Sequence, residues 1–432
     1  MKERRIIKLL IFAFLTAILF IFPVFAGSVR AAGLWAYELG TPDMGTASAG
    51  RGALAGDASV ALFNPAGMTK LDRSQLFSAV QGVWLNTKFD VEQQTFGGGN
   101  GDNAGGFIPV GSLAYVYSVN SKLKLGVGAA SYFGAGLDYD NDWAGRYYVQ
   151  EAEFLTFGVT PAIGYRINKW LSLGGGATVL YAKLDQKTAI NNQLTDPGVP
   201  DGEIKIDDDD VGYGFNLGAL IEPREDLRFS LTYRSRVEVE FKDVADIKGI
   251  GPNLQALLDL IGVTSNKVDL EMELPQEVLI SGYYDLTDKV ALVASAGWQD
   301  WSAFGKTTLT VRSTNTTSFE ADRNFKDTWH AAIGARYRFA DPWLWSVGFA
   351  YDSSPVDDKD RTPDMPLDRQ IRLGTGLQYN WNQNVTLGAA YTYVDLGDAK
   401  IDQQGGPLQG VLKGDYKTDN MHVVALNLIW RF

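Results

Sequence analysis

The chain offers little that could break or make a covalent bond. Its 432 residues hold two histidines, His330 and His422, and no cysteine, which excludes thiolate nucleophiles, thiolate metal sites and disulfides together. His330 lies on the polar side of an alternating stretch, where a serine and a carboxylate could complete a hydrolytic triad. No Gly-x-Ser-x-Gly elbow accompanies it, so a histidine satisfied by polar neighbours is the plainer reading. The glycine runs Gly97–Gly99 and Gly174–Gly176 are not followed by Gly-Lys-Ser/Thr and cannot be phosphate loops. The acidic run Asp207–Asp210 lacks a calcium-loop pattern and reads as a solvated loop end. No metal, no cofactor and no enzymatic activity is expected. What remains is binding chemistry: Arg234, Arg236 and Arg372 sit on polar faces and could meet a carboxylate. Glu238 and Glu240 lie close enough in sequence to neutralise them instead.

The elements that carry these residues are strands. From Leu227 to Phe241, Leu227, Phe229, Leu231, Tyr233, Val237 and Val239 alternate with Arg228, Ser230, Thr232, Arg234, Arg236, Glu238 and Glu240, and the pattern returns from Trp329 to Phe339 and from Ile371 to Tyr379. Alternation alone suits a soluble sandwich as well as a membrane barrel. The joins separate the two. Fourteen strands can be placed, at about 75–90, 107–120, 122–134, 149–168, 170–188, 207–222, 225–241, 267–286, 289–313, 326–340, 343–352, 368–381, 384–397 and 416–432, and tight turns at Asn120-Ser121, Asn168-Lys169, Pro223-Arg224, Thr287-Asp288, Asp341-Pro342 and Asn382-Gln383 alternate with seven long, polar or glycine-rich connections. Short turns on one side and long loops on the other, with an even strand number, predict a 14-stranded antiparallel transmembrane β-barrel, an all-β fold. Trp170, Trp343, Trp345, Trp381 and Trp430 near the turns suit an interfacial aromatic girdle. One loop differs: Leu254, Leu257, Leu258 and Ile261 within residues 249–262 have helical spacing, fitting either a landing groove for substrate or a helix packed on its neighbours.

A net charge of -12 and the lack of a Lys/Arg-rich patch argue against a nucleic-acid partner. Residues 1–32 read as a secretory signal, with Lys2, Arg4, Arg5 and Lys8 ahead of an apolar run from Leu9 to Phe25. Cleavage after Ala26 or near Ala31-Ala32 both fit, and an uncleaved anchor is the alternative.

Residues 33–73 are unlike the rest, crowded with Gly, Ala and Ser, which allow close backbone approach but bury too little to fold alone. Two helical pieces are expected, around Thr46–Leu54 and Ala58–Phe63, the second stopped by Asn64-Pro65. A small-residue segment ending in Asn64-Pro65-Ala66 ahead of a β-rich chain resembles the FadL family of outer-membrane transporters for hydrophobic compounds. The resemblance continues through Asp142-Trp143-Ala144-Gly145-Arg146-Tyr147 and the strand-turn-strand after it. It implies a hatch over residues 33–73 inside a barrel of residues 74–432 in the cell outer membrane. It also implies that the start of the hatch, here Leu34 and Trp35, lies near bound ligand. In the family a kinked third strand opens the wall sideways, and the matching stretch carries Phe133, Gly134 and Gly136. The implied function is passive uptake of a hydrophobic small molecule, a fatty acid or hydrocarbon, with release into outer-membrane lipid. A porin-like or purely structural barrel is the alternative. The terminal Phe432 resembles the signal read by the outer-membrane assembly machinery, and a monomer is expected.

Overall fold

A computed structural model describes residues 36–242, 245–260, 268–311 and 317–432. The signal segment, Leu34, Trp35 and Ile261 therefore lie outside the described residues. Fourteen antiparallel strand positions follow one another around a closed sheet. The first strand, Gln75–Gln94, pairs with the second, Phe107–Ser118, on one side and with the last, Val411–Arg431, on the other. No edge is left at that seam. Joins such as Asp341-Pro342, between Thr328–Ala340 and Trp343–Asp352, are tight, whereas Asp352 and Gln370 are separated by a long loop. Short turns and the end of the plug define the periplasmic rim, and the long loops the external one.

Each strand's two faces differ as lipid and lumen require. Phe229, Leu231, Trp329, Ile333, Leu373 and Leu426 are all exposed on the outside, while Arg228, Ser230, Thr232, His330 and Arg372 are buried inside. Large apolar side chains in a continuous exposed band are the mark of a surface that meets hydrocarbon. Trp170, Trp345 and Trp381 are exposed close to the tight turns, as an aromatic girdle requires.

Three long strands of the sequence reading break at the external rim. Residues 225–241 do not form one strand: Leu227–Arg234 belongs to the barrel, and Val237–Phe241 leaves it for a separate four-stranded sheet with Val268–Leu274, Lys306–Val311 and Thr317–Asp322. Ser235 marks the departure, its Oγ accepting from Phe215 N at 2.9 Å and donating to Arg236 O at 3.0 Å. Past it, Val237, Val239 and Phe241 are buried in the outer sheet rather than set against lipid. Residues 267–286 divide likewise at Pro275, and 289–313 at Asp300, where the short helix Trp301–Phe304 intervenes. The loop helix is Pro252–Leu260, its first turn capped by Asp196, whose carboxylate accepts from Asn253 N at 2.9 Å and Leu254 N at 3.0 Å. Partial burial raises the Asp196 pKa, but those two backbone donors outweigh it and leave it below the ordinary value. Leu254 is buried and Leu257 is exposed, so the helix packs by one side only.

Inside the barrel, residues 36–71 form short turns of helix: Pro42–Thr46, Arg51–Leu54, Ala58–Leu62 and Pro65–Lys70. The single helix expected over Thr46–Leu54 is absent, because Ala47, Ser48 and Gly50 take positive φ values of 51°, 67° and 77° and stop it. Asn64-Pro65 does end one turn, yet it also starts the next: Asn64 Oδ1 accepts from Ala66 N at 3.2 Å as an N-cap.

Candidate functional site

The plug fits because the wall makes room for it and supplies partners for its backbone. A Cβ on Gly348 would stand 2.0 Å from Thr46 O, and one on Gly174 would stand 2.4 Å from Ala66 N. The Asn64-Pro65-Ala66 turn is seated in this way against Gly164, Gly174 and Gly218, with Asn64 Nδ2 donating to Gly52 O at 2.7 Å. Around the rest of the lumen, Arg228 Nη2 donates to Leu54 O at 3.0 Å, Arg166 Nη2 to Thr69 O at 3.0 Å and Asn427 Nδ2 to Gly40 O at 3.0 Å, while Ser295 Oγ accepts from Gly50 N at 2.9 Å. Wall side chains thus satisfy backbone groups that short helical turns leave open.

The described start of the plug is held by a buried ionic network. Arg372 donates to Glu38 Oε1 at 3.1 Å and pairs with Asp352, whose other oxygen lies 2.9 Å from His330 Nδ1. The Tyr37 ring stacks on His330 with centroids 4.4 Å apart, and its hydroxyl donates to Glu277 Oε1 at 3.1 Å. Burial raises the Tyr37 pKa well above its ordinary value, helped by Glu277 and Asp352 against Arg372 and Arg51, so the phenol stays protonated as that donor. Arg51 forms an ion pair of 2.6 Å with Asp43 and donates to Tyr37 O. Removing Arg372 would leave Glu38 and Asp352 as buried, uncompensated carboxylates, a class of change that costs about 3–5 kcal/mol. Arg372→Ala is therefore expected to expose residues 36–43 to limited proteolysis in detergent while heat-resistant electrophoretic mobility reports an intact barrel. Unchanged protection would show that this network does not hold the segment.

A recess lies beside that network, lined by Ala36, Leu39, Phe63, Tyr132, Arg234 and Leu279 among others. Arg234 stands over the Tyr132 ring at 3.9 Å from its centroid and donates to Leu62 O at 3.2 Å. Among the described residues it has no carboxylate within ion-pair distance, although Glu277 is its cross-strand neighbour. The other two sequence-identified arginines are occupied. Arg372 serves the network, and Arg236 stands apart at the outer sheet, paired with Glu273 at 2.6 Å and Asp300 at 2.8 Å. Among the described residues Glu238 and Glu240 are partners of none of the three: the Ser235 break separates them from Arg234, and Arg236 is taken by Glu273 and Asp300. His330 has no serine partner and belongs to the plug's anchorage. No cluster of three or more His, Asp or Glu suited to a metal occurs among the described residues.

Tyr132 also belongs to an interruption of the wall. The third strand runs from Leu123 to Ala130 and resumes at Gly134–Asp138, both pieces pairing with Glu151–Arg166. Ala130 faces Gly158 and Gly134 faces Leu155, so three residues on the third strand oppose two on the fourth: a bulge. Thr156 replaces the lost ladder, its Oγ1 accepting from Phe133 N at 3.0 Å and donating to Phe133 O at 2.9 Å. On the other side, the second strand pairs with the third only over Leu113–Ser118, leaving Phe107–Ser112 without that neighbour. Six residues without a partner on that side make a break in the ladder about 20 Å long along the strand. It is bridged above by Asp138 N donating to Ala104 O at 2.9 Å, and the plug touches its edge where Ala36 N donates to Tyr132 O at 3.0 Å. The bend sits at Ser131–Phe133, just before Gly134 and Gly136, which are already paired again. Sequence reading found this stretch and the Asn-Pro-Ala turn but missed Tyr37, Glu38, Tyr132 and Thr156, whose roles depend on partners far away in the chain.

Residues 23–432 match the family described as outer membrane protein transport protein (OMPP1/FadL/TodX). The long-chain fatty acid transport protein of Escherichia coli O6:H1 is 29% identical over 403 residues, covering 87% of this chain and 89% of that protein. The crystal structure of a Pseudomonas aeruginosa FadL homologue superposes with a TM-score of 0.84 at 20% identity, covering 93% of this chain and 100% of the other. For the Ralstonia pickettii toluene transporter TbuX the TM-score is 0.63 at 18% identity, with 92% and 100% covered. The match spans nearly the whole chain and agrees with the plugged barrel, and the chain belongs to this family of outer-membrane transport proteins.

Proposed function

We propose that the protein takes up apolar molecules with a carboxylate head, of the long-chain fatty acid class, and releases them sideways into the outer membrane. The observation that carries this reading is Tyr132, which at once lines the lumen recess, stacks under Arg234, a residue with no carboxylate in ion-pair reach among the described residues, and lies at the break in the wall's ladder, where a sideways exit would form. An apolar tail can lie among Leu39, Phe63 and Leu279, and the guanidinium of Arg234 offers paired donors to a carboxylate. Movement of Ala36 away from Tyr132 would join recess and opening. The relatives divide between fatty acids and toluene by name, and Arg234 favours the charged head. Ligand contact by Leu34 and Trp35, which lie outside the described residues, is part of the same proposal. The lumen is complete within one chain, which supports action as a monomer. The alternating apolar face of the last strand, Val411–Arg431, supports insertion by the outer-membrane assembly machinery.

The test compares a long-chain fatty acid with the alcohol of equal length, binding to purified protein in detergent. A charge-assisted hydrogen bond is worth 1.5–3 kcal/mol, so Arg234→Ala should weaken fatty-acid binding on the order of 10- to 100-fold and leave the alcohol unaffected. Equal losses for both would remove Arg234 from head-group recognition, and no binding of either would return the barrel to a porin-like reading.

A further inference from the structure

Beneath the plug, at the periplasmic rim, lies a second recess of about 850 Å³, part of it open to solvent, lined by Asp57, Val60, Gln378, Arg336, Arg338 and Arg431 among others. Its charges are unbalanced. Arg336 donates to Gln378 Oε1 at 2.8 Å and Arg431 to Thr386 Oγ1 at 2.8 Å, both neutral partners. Arg338 reaches only Asp341, at 4.0 Å. Of the two carboxylates present, Asp43 is taken by Arg51, and Asp57 caps Ser59 N at 2.9 Å. Burial raises the Asp57 pKa despite those hydrogen bonds and the nearby Arg431 and Arg336, which leaves its charge easier to neutralise.

Two side chains, Arg51 and Phe63, line both this vestibule and the lumen recess above it. The Arg51 guanidinium stands 5.1 Å from the Phe63 ring centroid and is held by Asp43, which lines the vestibule, and by Ser48 Oγ at 3.0 Å. Between the two chambers the plug is thus one side chain thick.

We propose that Arg51 and Phe63 form a gate in the plug and that the arginine-lined vestibule makes the passage behind it selective for small hydrophilic anions, carboxylates included. Three guanidiniums around a recess concentrate anions and repel cations as they cross. The path is axial, and although its gate borders the lumen recess, its selectivity is set by Arg336, Arg338 and Arg431, none of which lines that recess, so the selectivity is tested separately from hydrophobic uptake.

The experiment is conductance of the full mature protein in a planar bilayer of neutral lipid under a potassium chloride gradient, with benzoate substituted for chloride in a second series. Phe63→Ala should raise the current several-fold, with a reversal potential displaced toward that of the anion in both series. Adding Arg336→Gln and Arg431→Gln should keep the raised current and abolish the anion preference. Heat-modifiable mobility checks assembly of every variant. Fatty-acid binding of the Arg336→Gln, Arg431→Gln protein should equal that of the parent, which separates failure of this proposal from failure of the uptake reading. A Phe63→Ala current no larger than the parent's, or a selectivity indifferent to the arginines, overturns it.

Discussion

Deletion of Ser131 combined with Gly134→Val and Gly136→Val is expected to abolish uptake of a hydrophobic substrate while the barrel still assembles. Three residues of the third strand now oppose two of the fourth between Ala130 and Gly134. Removing one restores a one-to-one register, and valine at the two glycines favours extended pairing. The straightened strand would meet Phe107–Ser112, whose backbone edge is free on that side. The energetic reason for expecting so large an effect is the destination. Transfer of an apolar solute from water into lipid gains about 25 cal/mol per Å² of surface, a gain that release into aqueous periplasm would forgo. Uptake of a radiolabelled fatty acid by cells expressing equal amounts of assembled protein is the measurement. Undiminished uptake would send the solute along the barrel axis instead.

Removing the plug should have the second large effect. Without residues 33–71 the lumen loses the side chains and backbone that fill it, including the Asn64-Pro65-Ala66 turn packed on Gly164, Gly174 and Gly218. The wall itself depends on its own ladder and its lipid-facing band, neither of which involves the plug. The truncated chain should therefore insert and show porin-like single-channel conductance in a planar bilayer, well above that of the intact protein. If conductance were unchanged, the segment would not be what closes the lumen.

How far the sequence could be read follows from where each kind of information is stored. The barrel was legible because lipid outside and polar lumen inside impose period two on every strand, and because the tight turns carry their own residues, such as Asn168-Lys169. The outer sheet was not. Val237, Val239 and Phe241 continue the parity of Leu227, Phe229 and Leu231, so the change of sheet is marked only by Ser235, a single polar residue at a position of apolar parity. The plug's location was read from composition, but its turns were not, since left-handed Ala47 and Ser48 leave no residue-type signal. Arg234 and Arg372 were placed on the right face and given the wrong partners, whereas Arg236 leaves the barrel with the outer sheet and does not face the lumen. Arg372 meets a glutamate 334 positions earlier, and proximity in sequence cannot anticipate that. Glycines in the wall were a usable clue: Gly174 lies in a strand where a side chain would fit the sheet, and its absence reports the plug pressed against it.

The seam between Gln75–Gln94 and Val411–Arg431 has a consequence for how the molecule is made. Its register joins Gln75 to Arg431, so these partners are nearly the whole barrel apart in sequence. Contacts of such separation are slow to form, since the loop entropy of everything between them must be lost first. Until the last strand arrives, the first can be paired only with the second and presents a long open edge to any other chain. The closing ladder therefore forms only when Gln75–Gln94 and Val411–Arg431 are both present at the membrane, and until then those two strands are the edges that must be kept from pairing with other chains.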